Sequence, residues 1–309
     1  MGKKQKLQGA LAFDQYYHAL YKERWPQLKA ALCGVKKSVA LCNPFNPQAE
    51  HLLREQGALP HAILPMIWTC GDVFLSPSSL ADQRQLLPYY LLDEASVWAA
   101  RALELGPAMT VLDACAAPGG KSLVNIFWQQ GNLKLTVGDR SRERVERMRR
   151  IYGQYLPPSL LASINFAVKD AREWYAIDGQ ENFEKWQRIL LDAPCSSERH
   201  LLEAPNHMQD WAIGRSKRLA KDQFSMLCAL WSCLRPDGQL VYSTCSISSL
   251  ENEDIIQYFF EKRAGAEEIN LNKHLPISHL FEGLSHGYLA LPDNAGIGPI
   301  YMAAIKKAP

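Results

Sequence analysis

The 309-residue sequence lacks any apolar run near the ~20 residues that a membrane-spanning helix requires, so a bilayer-embedded protein is not expected. It also lacks the apolar core of a secretory signal after Met1-Gly2-Lys3-Lys4-Gln5-Lys6, and Lys6 stands where a myristoylation signal wants Ser or Thr. Its eight cysteines are scattered and include no C-x-x-C pair, which argues against both a disulfide framework and a zinc site. No metal is expected. Reduced thiols in a cytosol-like compartment are the reading, which means the cytoplasm or the mitochondrial matrix. Excess charge is missing as well: with 34 basic and 32 acidic residues, any nucleic-acid surface has to be local. Two basic clusters meet that condition, Arg140 to Arg150 and Arg215 to Lys221.

What is present is enough apolar material, 47% of residues, for one large core with a smaller satellite. From Phe13 to Leu32 the apolar residues recur at helical spacing, which predicts one amphipathic helix. A strand is expected over Ser38 to Cys42, and two prolines then break the chain in Asn43-Pro44-Phe45-Asn46-Pro47. Residues 1–80 read as a small N-terminal α/β extension with a role in RNA contact, and 81–309 as the catalytic domain. In that second part, strands at Thr110 to Ala114, Leu133 to Gly138, Ile164 to Lys169, Arg188 to Asp192 and Gln239 to Thr244 alternate with helices. This is an α/β class with a Rossmann-like, mostly parallel sheet, closed by an antiparallel hairpin of Tyr288 to Leu291 and Ile300 to Ile305 at a sheet edge.

The first strand runs into Cys115-Ala116-Ala117-Pro118-Gly119-Gly120-Lys121, a tight small-residue turn opening a helix. Such a turn admits close backbone approach by a nucleotide-like ligand. It matches neither the G-x-G-x-x-G fingerprint nor the P-loop, which disfavours NAD and ATP. Asp139 ends the next strand, where a carboxylate accepts hydrogen bonds from ribose hydroxyls or else caps the helix near Ser141. Asp170 ends the third strand, to contact an adenine amino group or to cap the turn before Arg172.

Cys195, in Asp192-Ala193-Pro194-Cys195-Ser196, and Cys245, in Ser243-Thr244-Cys245-Ser246, both follow strands. Ligands of open α/β sheets bind at the carboxyl ends of strands, so both thiols should face the crevice of the cofactor turn. Two thiols beside a methyl donor suit cytosine C5, a poor nucleophile until a thiolate adds at C6.

These segments, together with Tyr89 to Ser96, Asp139 with Arg144, and Gly298-Pro299-Ile300-Tyr301, resemble the RsmB/Sun-domain family of RNA cytosine-5 methyltransferases over roughly residues 89–307. The resemblance implies S-adenosylmethionine as cofactor and an RNA substrate, ribosomal before transfer. It implies Cys245 as nucleophile, Cys195 assisting product release, and Asp192 at the cytosine edge. Cofactor contacts would come from the Cys115 to Lys121 turn, Asp139, Arg144, Asp170 and Asp192. DNA cytosine-5 enzymes use a Pro-Cys cysteine instead, which would move the nucleophile to Cys195. A thiol oxidoreductase and a catalytically silent RNA-binding or ribosome-assembly factor are the rival readings.

Overall fold

Pro26 shapes the start of the chain. In a continuous helix its ring would strike the carbonyl four residues back, that of Lys22. There α1 (Gly9–Tyr21) stops, Lys22 takes φ 51°, and a 3-10 turn (Lys22–Arg24) leads into α2 (Trp25–Leu32) with Pro26 in its first turn. The single helix expected from Phe13 to Leu32 is therefore two. This computed structural model describes residues 8–71, 74–80, 86–177, 180–181 and 183–309. Met1 to Lys6, read for a targeting signal, and residues 81–85, at the expected domain boundary, lie outside them. Among the described residues no helix is long and apolar enough to cross a membrane.

A small antiparallel sheet follows, built from β1 (Val39–Cys42), α3 (Ala49–Glu55), β2 (Leu59–Pro60), β3 (Ile67–Thr69), α4 (Pro77–Leu80) and β4 (Tyr89–Leu92). Its strand order is β2-β3-β1-β4, so its fourth strand comes from beyond residue 80. The buried Asn43 fixes it to the rest of the molecule, its side-chain amide donating to the carbonyls of Leu87 at 2.8 Å and Tyr155 at 2.9 Å.

The larger sheet begins after α5 (Glu94–Arg101). Its elements are β5 (Thr110–Asp113), α6 (Gly120–Trp128), β6 (Lys134–Asp139), α7 (Arg142–Tyr155), α8 (Pro158–Ser163), β7 (Asn165–Val168), the ribbon of β8 (Ala176–Ile177) and β9 (Gln180–Glu181), and β10 (Trp186–Asp192). Then come α9 (Glu198–Glu203), α10 (Pro205–Met208), α11 (Ile213–Cys233), β11 (Leu234–Thr244), α12 (Glu253–Lys262), β12 (Ala266–Ile269), β13 (Glu282–Gly283), β14 (Tyr288–Ala290), α13 (Pro292–Ala295) and β15 (Ile300–Lys307). The order is β13-β14-β15-β11-β10-β5-β6-β7, with β12 also on β15, and it is parallel from β11 through β7. The predicted C-terminal hairpin is there, β14 against β15, but β15 lies inside the sheet, antiparallel to β11, and not at an edge. Ile300 to Ile305 are all buried, a pattern that fits an interior strand and no solvent-facing edge.

Strand alternation serves two cores. Val111, Leu190 and Val241 pack with α5, α6 and α7, while Leu112, Leu191 and Tyr242 pack with α11 and α12. Phe13, Tyr17, Trp25 and Leu28 of α1 and α2 join that second core. Each such burial contributes about 1.5–3 kcal/mol, so the first two helices are packed into the core of the larger sheet. Chain order reverses at β5, between β10 and β6, and the crevice of a doubly wound sheet opens at such a point.

Candidate active site

The turn after β5 is pinned from both sides. Ala114 N–H donates to Leu190 O at 3.0 Å and Ala116 N–H to Gly138 O at 2.8 Å, tying it to β10 and β6. Gly119 then takes φ 112°, where a Cβ would sit 2.5 Å from Tyr152 Cε1, so only glycine fits. The Tyr152 hydroxyl donates to Gly119 O at 3.1 Å. The Arg144 guanidinium donates to Ala117 O and pairs with Asp139 at 2.8 Å, joining the turn to the end of β6. Beneath it lies fully buried Asp113, accepting from Ser122 Oγ at 2.6 Å; burial pushes its carboxyl up to about 7 against the lowering effect of that bond. Cys115 is held far above the ordinary thiol range by burial and the surrounding carboxylates.

Asp139 is buried at the end of β6 and also accepts from Ser141 N–H at 2.9 Å; the helix cap itself is Ser141. Asp170 caps a short 3-10 turn through Arg172 N–H and is gripped by the Arg172 guanidinium at 2.8 Å, which holds its carboxyl below the usual range. A constricted turn opening the nine-residue α6, with carboxylates at the ends of two adjacent strands, fits an adenosine-bearing ligand.

On the other side of the switch point, β10 and β11 run parallel with Asp192 beside Ser243. That register brings the two following loops together, and the free thiols of Cys195 and Cys245 lie with Sγ atoms 3.1 Å apart. The hydrogen bond from Cys195 pulls Cys245 below the usual thiol value against burial, with Ser197 Oγ 3.4 Å away. The same bond and burial push Cys195 well up. Asp192 accepts from Ser243 Oγ at 2.9 Å and pairs with Lys121 Nζ at 2.8 Å. Burial alone would favour neutral Lys121, but Asp192, with smaller contributions from Cys245 and Asp113, outweighs it and raises the ammonium. A cavity of about 260 Å³ opens over Cys245 and Lys121, with room for a nucleobase.

The cavity also contains residues that no motif marks as functional. Asp93, Ser96, Arg199 and Gly298 line it. Asp93 caps α5 through Ala95 N–H at 2.9 Å and accepts from Gly298 N–H at 3.1 Å, where a Cβ on residue 298 would lie 2.2 Å from its carboxylate. The Tyr89 to Ser96 and Gly298 to Tyr301 segments, which carry the family resemblance without a role of their own in the sequence, therefore meet at the wall of this site. Glu198 and Glu251, both fully buried behind the cysteines, have no signal at all in residue spacing. His200 is exposed at the cavity mouth and lies 3.3 Å from Glu203.

Fold and site together define an S-adenosylmethionine-dependent methyltransferase. A family model described as 16S rRNA methyltransferase RsmB/F matches residues 100–306, and the chain belongs to that family of RNA cytosine-5 methyltransferases. Among curated proteins it is 29% identical to the 5-cytosine rRNA methyltransferase NSUN4 of Bos taurus, over 94% of this chain and 86% of that one. It is 30% identical to a mitochondrial tRNA (cytosine(34)-C(5))-methyltransferase of Mus musculus, over 96% of this chain and 89% of that one. The crystal structure of NSun6 from Pyrococcus horikoshii with SFG has the same fold, with a TM-score of 0.77 at 18% identity over 97% of this chain and 98% of that one.

Proposed function

We propose that this enzyme methylates C5 of a cytosine in ribosomal RNA, with Cys245 as the covalent nucleophile and Cys195 as the group that completes the cycle. The 3.1 Å thiol pair beside the Lys121–Asp192 ion pair carries this reading. Once the pair has lost one proton to solvent, the remaining proton is held unequally, on Cys195, and the member pulled down, Cys245, lines the open cavity as the thiolate. Its sulfur forms a bond to C6, and the C5–C6 π pair moves onto C5. S-adenosylmethionine, when bound, supplies an electrophilic methyl group. The Cys115 to Lys121 turn, Asp139, Arg144, Asp170 and Asp192 would hold it, and Lys121 keeps Asp192 aimed at the base edge. Once C5 is methylated, its proton must leave; the C5–H pair then restores the double bond and expels Cys245. Cys195, next to the adduct sulfur, would take that proton after giving up its own to solvent.

The relatives named for rRNA support ribosomal RNA as target, and the mitochondrial tRNA relative makes transfer RNA the second arm of the test. That relative also supports the mitochondrial matrix, beside the cytoplasm, as the compartment. Lys36, from the first 80 residues, stands at the cavity mouth, which supports RNA contact by the N-terminal region.

The experiment is transfer of labelled methyl from S-adenosylmethionine into purified rRNA and tRNA, followed by nucleoside analysis, for wild type and Cys245→Ala. Label in 5-methylcytosine of rRNA, lost in the variant, is the expected result. Label confined to tRNA would reassign the substrate, and label surviving in Cys245→Ala would remove the nucleophile assignment.

A further inference from the structure

Three tyrosines of α1 reach across the molecule, two to the segment that follows Cys245 and one to Glu198, beyond Cys195. The Tyr21 hydroxyl donates to Ile247 O at 2.6 Å, and the Tyr16 hydroxyl lies 3.1 Å from Ser248 Oγ. Tyr17 donates to Glu198 Oε1 at 2.6 Å. Glu198 is the hub of these contacts. Its Oε1 also accepts from Ser196 Oγ and, at 3.1 Å, from Ser246 Oγ, while its Oε2 accepts from Ile247 N–H at 3.0 Å. Ser196 follows Cys195 and Ser246 follows Cys245, so one buried carboxylate spans both thiol loops and α1.

We propose that Glu198 is a positioning residue, and α1 its brace, which together hold the two catalytic thiols in contact. The first helix is thus a working part of the active site, not only an RNA-binding extension. The inference rests on the roles proposed for Cys245 and Cys195, so its test includes a readout that does not depend on catalysis. Four hydrogen bonds converge on this carboxylate from three segments of the chain, and no substrate atom is needed to explain any of them. A buried charge is tolerated only where such donors satisfy it. Two of the four donors, Ser196 and Ser246, are the immediate neighbours of the two cysteines. A shift of about 1 Å between reacting groups costs up to ~100-fold in rate, so loosening this hub should be felt at the thiols.

The test compares wild type with Glu198→Gln, Glu198→Ala and a Tyr17→Phe, Tyr21→Phe double variant. Three quantities are measured: kcat and KM for methyl transfer, S-adenosylmethionine affinity, and the rate at which dibromobimane bridges Cys195 to Cys245. Glu198→Ala should lower kcat and bridging together by on the order of 100-fold, with Glu198→Gln restoring part of both. Cofactor affinity and KM should stay within about twofold of wild type, which a generally loosened protein would not show. If Glu198 variants fail to bind cofactor, the tyrosine double variant decides, since it removes only two hydroxyls; a fall in bridging and kcat of about tenfold is expected. Wild-type bridging in that variant and in any folded Glu198 variant would overturn the proposal. Slowed bridging with wild-type kcat would support the brace and sink the two-thiol mechanism instead.

Discussion

The turn after β5 and the pair of loops after β10 and β11 sit at one crevice but are held in opposite ways. The turn is shaped mainly by backbone and exclusion: two main-chain bonds pin it, Tyr152 leaves no space for a Cβ at Gly119, and the side chains of Arg144 and Tyr152 add bonds only to its carbonyls. The cysteine loops are shaped by side chains drawn from distant parts of the chain, from Tyr17 to Glu198 to Ser246. The first kind of site should be most sensitive to changes in its own small residues, and the second to the loss of remote hydroxyls or carboxylates.

The largest effect that would sharpen this contrast is expected at Cys195. On its proposed role, replacing it by Ala removes the proton acceptor after methylation, and turnover should fall ~100- to 1,000-fold, within the range that acid–base groups contribute. Cys245 remains, so the enzyme should accumulate as a covalent complex on unmodified RNA, visible by denaturing gel. Normal turnover without trapped complex would show that Cys195 does not serve the release step, and a complex formed by Cys245→Ala but not by Cys195→Ala would exchange the two roles.

Next in size is Gly119→Ala. A side chain at φ 112° costs about 1–3 kcal/mol, and the Tyr152 ring stands where the new Cβ must go. Cofactor affinity should fall at least ~10-fold, while bridging of Cys195 to Cys245 keeps its wild-type rate. Unchanged affinity would show that the turn yields to the added methyl and is not rigid. Slowed bridging would show that the two halves of the crevice are mechanically one.

A third comparison uses pH. Buried Asp113 titrates near 7 in the folded protein against 3.8 ordinarily, so the native state holds its proton more tightly than the unfolded state. Stability from this group is complete below about pH 4, declines as pH rises towards 7, and is level above it. The loss should be on the order of 4 kcal/mol. Asp113→Asn, which cannot ionise, should lack that slope, so the urea midpoint of the variant should rise relative to that of wild type from pH 5 to pH 7.5. Parallel midpoints across that range would place the carboxyl in a less costly environment than its burial indicates.

Much of this contrast follows from where information sits along the chain. The Cys115 to Lys121 turn is seven contiguous residues whose size alone dictates their use, and β5, β6, β10 and β11 announce themselves by apolar runs beside Asp113, Asp139, Asp192 and Thr244. The thiol pair is legible because each cysteine follows a strand end, and parallel neighbours bring equal positions together. Lys121 reads as part of the cofactor turn, but its ammonium crosses to Asp192, a contact that depends on how α6 sits over β10. Glu198 is hidden for the same reason: its donors lie 181 positions away at Tyr17 and 48 positions away at Ser246, and no local pattern marks it as buried. Pro26 is in plain view. The apolar periodicity from Phe13 to Leu32 continues past it, which masks the break that its ring enforces at Lys22.

The smallest effect is expected outside the crevice altogether. Arg215, Lys217 and Arg218 stand exposed along the first turns of α11, which follows the Cys195 loop and α9 in the chain, whereas Arg149 in the other basic cluster is folded over Phe166 at 4.3 Å. Exposed cations on a helix leading from the thiol loop are suited to RNA phosphates; a guanidinium stacked on a ring has a structural use already. Each phosphate contact contributes about one counterion to the salt dependence of binding, so Lys217→Ala with Arg218→Ala should reduce the slope of log affinity against log salt by about 1–2. RNA affinity near 0.1 M salt should fall about tenfold, with cofactor affinity and thiol bridging unchanged. If the slope is unaltered while Arg147→Ala with Arg150→Ala flattens it, the RNA path runs over α7 on the cofactor side of the crevice. The side-chain-built half would then hold the target base while the backbone-built half guides the strand to it.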